Sequence, residues 1–143
     1  MSGRRLRALM RACDGATAVE FALVLPMFLA LVFGSIEFGR VLWTKEALQE
    51  TAIAGARCVA IAQGSHPAGP CASGGATSYI QTIASGWGLS VPSSGISLTA
   101  SGACTGLSQV TLTSTFNSVA PTLVHLGAGG ITLTETACYP NNT

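Results

Sequence analysis

Between Ala16 and Ile36 the chain carries a single charged residue, Glu20, in an otherwise apolar stretch broken only mildly by Pro26, Gly34 and Ser35. Roughly 20 such residues are what a membrane-spanning helix needs. In lipid every backbone N–H and C=O must be paired within the segment, so this stretch has one option, a helix. Pro26 removes one backbone hydrogen bond and is expected to bend the membrane half. Glu20 is the anomaly. A carboxylate at the centre of a spanning helix costs about 2.5–3.5 kcal/mol, and somewhat less near an end. A residue carrying that penalty calls for a partner.

The surroundings of Glu20 are equally specific. Four arginines, Arg4, Arg5, Arg7 and Arg11, precede the apolar run, and Gly15 lies five positions before the glutamate. The positive-inside rule then keeps the N-terminus in the cytoplasm and exports the chain beyond Phe38. A conventional signal peptide has a similar outline, but no small-x-small site comes promptly after Ile36; Ala60-Ile61-Ala62 is far downstream. A lipoprotein signal does not fit either, because Cys13 precedes the apolar run. Basic leader, glycine, four residues, glutamate and apolar run together resemble a prepilin processing site. The expected cut is between Gly15 and Ala16, which makes Glu20 the fifth residue of the processed chain.

Past the apolar run the helical pattern continues. Val41, Leu48, Ala52, Gly55, Val59 and Ala62 recur at helical spacing, a seam of mostly small residues that would let another backbone come close. Lys45, Glu46, Glu50 and Arg57 fall off it. Residues 16–63 read as one helix, roughly 70 Å long at about 1.5 Å per residue, ended by Gln63-Gly64-Ser65-His66-Pro67. A second, short helix is expected over Ser78–Trp87, with Tyr79, Ile80, Ile83 and Trp87 on one face. Beyond Val91-Pro92 the period becomes two: Ile96–Ala100, Val110–Thr113 and Ile131–Thr134 alternate apolar and hydroxyl side chains, as half-buried strands do. Ser101–Ser108 is expected to turn between the first two strands, and Asn117–Gly130 to connect to the third.

The cysteines respect the same boundary. Of five, Cys13 lies in the leader, and cleavage after Gly15 leaves Cys58, Cys71, Cys104 and Cys138, an even set on the oxidising side of a membrane. Whether strand three pairs antiparallel with strand two or parallel with strand one, its C-terminal end arrives at the turn carrying Cys104. The expected pairs are therefore Cys104–Cys138 and Cys58–Cys71, out of three connectivities that spacing permits. The fold class is α+β: a long N-terminal helix followed by a small antiparallel sheet domain with two disulfides. The expected divisions are a cleaved basic leader (1–15), a transmembrane and assembly helix (16–38), its projecting continuation (39–63) and an exported, strand-rich domain (64–143).

With these residues laid out, the stretch GATAVEFALVLPMFLALVFGSIEFGRVLWTKEALQETAIAGAR resembles the TadE-like proteins, minor pilins (pseudopilins) of the tight-adherence, or Tad/Flp, pilus system. The marks are Gly15, Glu20-Phe21, Leu25-Pro26, Glu37-Phe38-Gly39-Arg40, Ala47-Leu48-Gln49 and Gly55-Ala56-Arg57. The likeness covers about the first 57 residues; the cysteines are not part of it. It implies processing by a prepilin peptidase and retention in the bacterial inner membrane. It also implies contacts with other pilin and pseudopilin subunits and an assembly platform, and a part in surface adherence and biofilm growth.

Within that reading Gly15 and Ala16 flank the cleavage site, and Glu20 with Phe21 serves processing and assembly. The ammonium that cleavage creates on Ala16 would attract the Glu20 carboxylate strongly in a low dielectric. The plainer role for Glu20 is a solvated acid at the headgroup level, favoured by the helix dipole. Glu37 and Arg40, three apart at the outer membrane boundary, read as a local ion pair worth a few tenths of a kcal/mol. No cofactor or metal is expected: His66 and His125 lack HxxxH or CxxC companions, and disulfides account better for the cysteines. Nucleic acid is disfavoured because Glu135 is the one formal charge after Cys58, leaving no basic footprint. An enzyme is disfavoured too. No aspartate follows Gly15, no paired carboxylates exist in the exported domain (64–143), and no nucleophile elbow accompanies Glu135. Gly127–Gly130 reads as a turn, without the lysine of a phosphate loop. The alternative to a pilin-like subunit is an uncleaved, signal-anchored periplasmic binding module.

Overall fold

The computed structural model describes residues 14–64, 69–99, 104–118 and 130–141. The arginine leader, Cys13, His66 and His125 lie outside the described residues.

Helix α1, Asp14–Ala62, is 49 residues long and runs without a break through Pro26. At about 1.5 Å per residue it measures about 74 Å. Its two halves differ in what touches them. The first is apolar and long enough to cross a membrane, and none of that apolar stretch is covered by the rest of the chain. The second is the spine of a folded domain. Ala47, Leu48, Thr51, Ala52, Ala56 and Val59 are buried at helical spacing, while Lys45, Glu46, Glu50 and Arg57 face solvent. Thr51 is a buried hydroxyl without penalty, because its Oγ1 donates to the Ala47 carbonyl at 2.7 Å.

The seam of small residues proves to be an intramolecular one. It is covered by the chain's own sheet and by helix α2, Ala76–Gly86, rather than left open for another subunit. Gly55 shows why small residues are needed there. A Cβ on it would lie 2.8 Å from Cγ1 and 2.9 Å from Cδ1 of Ile80, a fully buried α2 side chain. Helix α2 starts two residues earlier than the periodicity predicts and stops just before Trp87. Of the expected face, Ile80 is buried and Tyr79 and Ile83 are half-buried, but Trp87 is exposed and lies outside the domain core. The end of α2 is built by Gly88 in the left-handed region (φ 75°). The Leu89 N–H returns to the Ala84 carbonyl (2.9 Å) and the Gly88 N–H to that of Ser85 (3.0 Å), the paired bonds of a Schellman stop.

Strands β1 (Ile96–Thr99), β2 (Leu107–Phe116) and β3 (Ile131–Pro140) form one antiparallel sheet in the order β1-β2-β3. Of the two pairings open to the third strand, the antiparallel one with β2 is realised. Both β2 and β3 are ten residues long, well beyond the four-residue cores that apolar alternation marks. The reason is visible in β2, where the inward positions at either end include serines. Ser108 is buried within hydrogen-bond distance of Gln63 Oε1 (3.3 Å) and Asn141 Oδ1, and Ser114 against the Ser90 carbonyl (3.4 Å). An apolar/polar pattern loses such strands because the inward side chain is itself polar. Between the serines, Val110 and Leu112 are fully buried. On the opposite face the register sets Thr111 across from Thr136 and Thr113 across from Thr134, with hydroxyls 3.0 and 3.3 Å apart.

Two disulfides brace the domain. Cys58–Cys71, with Cα atoms 5.7 Å apart, ties the end of α1 to the 3-10 turn Ala72–Gly74. Cys104–Cys138, with Cα atoms 6.2 Å apart, ties the turn before β2 to β3. The α+β class with a long helix, a three-stranded antiparallel sheet and two cysteine pairs is thus the observed architecture.

Candidate assembly and membrane-boundary site

Gly15, Glu20 and Phe21 lie in the first two turns of α1, all exposed and clear of the folded domain. A Cβ at Gly15 would meet nothing within 4 Å. Phe21 is 64% exposed, and the exposed series continues through Val24, Met27, Phe28 and Leu31. Ala16 and Glu20 are four residues apart, so they share a helix face about 6 Å apart along the axis. The geometry leaves the carboxylate free to face lipid headgroups, an amine at residue 16, or another chain.

At the other end of the apolar run, the helix meets the bottom of the sheet. Glu37 is 5% exposed despite being charged. Both of its oxygens accept from Arg40 Nη1, at 3.1 and 3.2 Å. The Arg40 guanidinium in turn lies 5.2 Å from the ring centroid of Phe116, the last residue of β2. The pair is therefore more than a local helix contact, since it links α1 to a strand end through a buried acid and an aromatic face. Replacing Arg40 with alanine is expected to cost the domain about 1.5–3 kcal/mol, the range for hydrogen bonds to charged groups. Arg40→Lys should recover only part, because lysine lacks the planar stack. Urea unfolding in detergent measures it. A loss below about 0.5 kcal/mol would return the pair to an ordinary i,i+3 surface bridge.

Two further contacts at this level carried no sequence signal. Lys45 Nζ lies 3.9 Å from Glu135 Oε1, so the one acid after Cys58 answers a cation of the helix. Trp43 of α1 meets Trp87 edge-on, with ring centroids 5.9 Å apart at 67°. Forty-four positions separate the two tryptophans, and no periodicity links them. Among the described residues no group of three or more His, Cys, Asp or Glu side chains converges.

Residues 15–57 match the family model described as TadE-like protein. The N-terminal segment of this chain is TadE-like. The match begins at the glycine before the apolar run and ends one residue before Cys58. It thus takes in the lipid-length part of the TadE-like helix and most of its domain-bound part, and leaves α2, the sheet and both disulfides outside. No curated protein and no solved structure matches the chain. The TadE-like match fits a protein of the Tad pilus system, of a structural rather than an enzymatic kind. With its apolar helix able to span a membrane, the chain also suits a membrane-anchored pilus protein.

Proposed function

We propose that this chain is a pilin-like structural subunit, a minor pseudopilin, of a Tad/Flp pilus. It is cut by a prepilin peptidase between Gly15 and Ala16 and held in the bacterial inner membrane by residues 16–38. The domain past residue 39 stands on the periplasmic side and takes part in pilus assembly, surface adherence and biofilm growth. The observation that supports this most is the division of one continuous helix: its apolar first part, which carries Glu20, is bare, and its second part is the spine of a disulfide-braced domain. A bare apolar half-helix has lipid and other pilin-like helices as its natural neighbours. The arginine leader supplies the orientation through the positive-inside rule, and an exported domain suits its cysteine pairs.

Glu20 is the assembly contact in this reading. Its partner is the ammonium that cleavage creates on residue 16, in the same chain or a neighbour, and pairing offsets the cost of a carboxylate in lipid. N-terminal sequencing of the membrane form, with and without the prepilin peptidase, tests the processing step. The expected mature chain starts at Ala16 only when the peptidase is present; Met1 or Ser2 in both strains would leave a signal-anchored periplasmic module instead. Glu20→Ala tests the contact. Mature protein should still form, but its recovery in pilin complexes should fall about tenfold, the effect of about 1.4 kcal/mol. Recovery at the normal level would refute the role of Glu20.

A further inference from the structure

We propose that the exported domain does not hang free of the bilayer but rests on it, with Trp43 and Trp87 seated in the lipid headgroup layer. The inference depends on the membrane-held reading above and adds a lipid contact made by the folded domain itself.

Height along the helix axis places the pair. With Glu20 at one edge of the hydrocarbon, a core of about 30 Å takes about 20 residues of helix and ends near Arg40. Trp43 then stands about 5 Å beyond that edge, inside the headgroup layer. The apolar surface is continuous up to this height, since Ile36, Phe38 and Leu42 are 54%, 65% and 47% exposed. Trp43 itself is 60% exposed, and Trp87 beside it 43%.

Trp87 is the informative partner because it belongs to no spanning segment. It comes after α2 at the Gly88 stop, where two backbone bonds hold the turn, and so is aimed by the fold and not by a loose loop. Ile36, Gly39, Trp43 and Leu89 line an open groove with it. Two neighbouring indoles, each with an apolar body and one N–H, suit the layer between hydrocarbon and water, where tryptophan is enriched. A fully aqueous setting would leave both rings hydrated for no gain. The occupant is thus a lipid interface.

The chain has only two tryptophans, so W43F and W87F each leave a single intrinsic reporter. The full chain is reconstituted in phosphatidylcholine vesicles carrying nitroxide lipids labelled either near the headgroup or deep in the acyl chain, with acrylamide as the aqueous quencher. Both reporters should show blue-shifted emission and stronger quenching by the shallow label than by the deep one. The unmodified chain gives the summed signal, so a folding defect in either variant does not remove the test. Water-like emission from Trp87, open to acrylamide and untouched by either lipid label, overturns the inference if the chain still resists alkaline carbonate extraction. So does a Trp87 shielded from lipid and acrylamide alike in proportion to protein density, which marks a second copy as the occupant. Release of the chain by carbonate overturns the membrane-held reading, and this inference with it.

Discussion

Replacing Cys104 and Cys138 with serine is expected to lower the stability of the exported domain by about 4 kcal/mol. The two cysteines are 34 positions apart, and the cross-link removes loop-closure entropy from the unfolded chain. The chain-entropy relation gives about 3 kcal/mol for a 15-residue loop and about 4.7 for one of 100, which places this loop near 4. Cys138 is exposed and Cys104 half-buried, so serine adds little burial cost at either place, and the loss reports the constraint itself. The 13-residue Cys58–Cys71 closure should contribute less, about 3 kcal/mol. Because its cysteines are 8% and 6% exposed, alanine is the better replacement there. Urea midpoints of the oxidised chain and both double variants, in one detergent, give the comparison. A loss below about 1 kcal/mol for the Cys104/Cys138 pair would mean that the unfolded chain was already constrained, or that the entropic account does not apply.

Ile80→Ala is expected to cost about 3–4 kcal/mol, within the range for emptying a fully buried aliphatic site. Ile80 lies over Gly55, with two of its carbons less than 3 Å from where a Cβ of residue 55 would sit. The two positions should therefore couple. Gly55→Ala alone sets a gain in helix propensity of about 1 kcal/mol against overpacking of about 1–3 kcal/mol, for a net loss. In the Ile80→Ala background the obstruction is gone, and the same substitution should stabilise by about 1 kcal/mol or more. Double-mutant unfolding reads the difference; additivity within about 0.5 kcal/mol would show that α2 is not packed directly on Gly55.

Much of this architecture is legible in local pattern. The period of 3.6 through residue 62 and the period of two after Val91 identify the long helix and the strands, because each reflects a side-chain geometry that neighbouring residues share. The second helix is legible too, apart from its ends: it starts at Ala76, two residues before Ser78, and it stops at Gly86 although Trp87 continues the apolar face by spacing. Strand lengths are not legible where Ser108 and Ser114 turn inward, since their hydroxyls are satisfied by partners from distant parts of the chain. The seam on α1 reads equally well as a place for another subunit or for the chain's own sheet. Small residues specify close approach, not who approaches.

The amino-acid sequence by itself determined where the helix runs, which part of it is apolar enough for lipid, where the strands lie, and which segment is TadE-like. These depend on composition and short-range spacing. Only the tertiary structure decided that the seam is filled from within. Only it sets Arg40 over the ring of Phe116, gives Glu135 a partner in Lys45, and brings Trp87 to Trp43. Each of these is a meeting of residues far apart in the chain, and burial and charge pairing take their energy from where side chains end up in space.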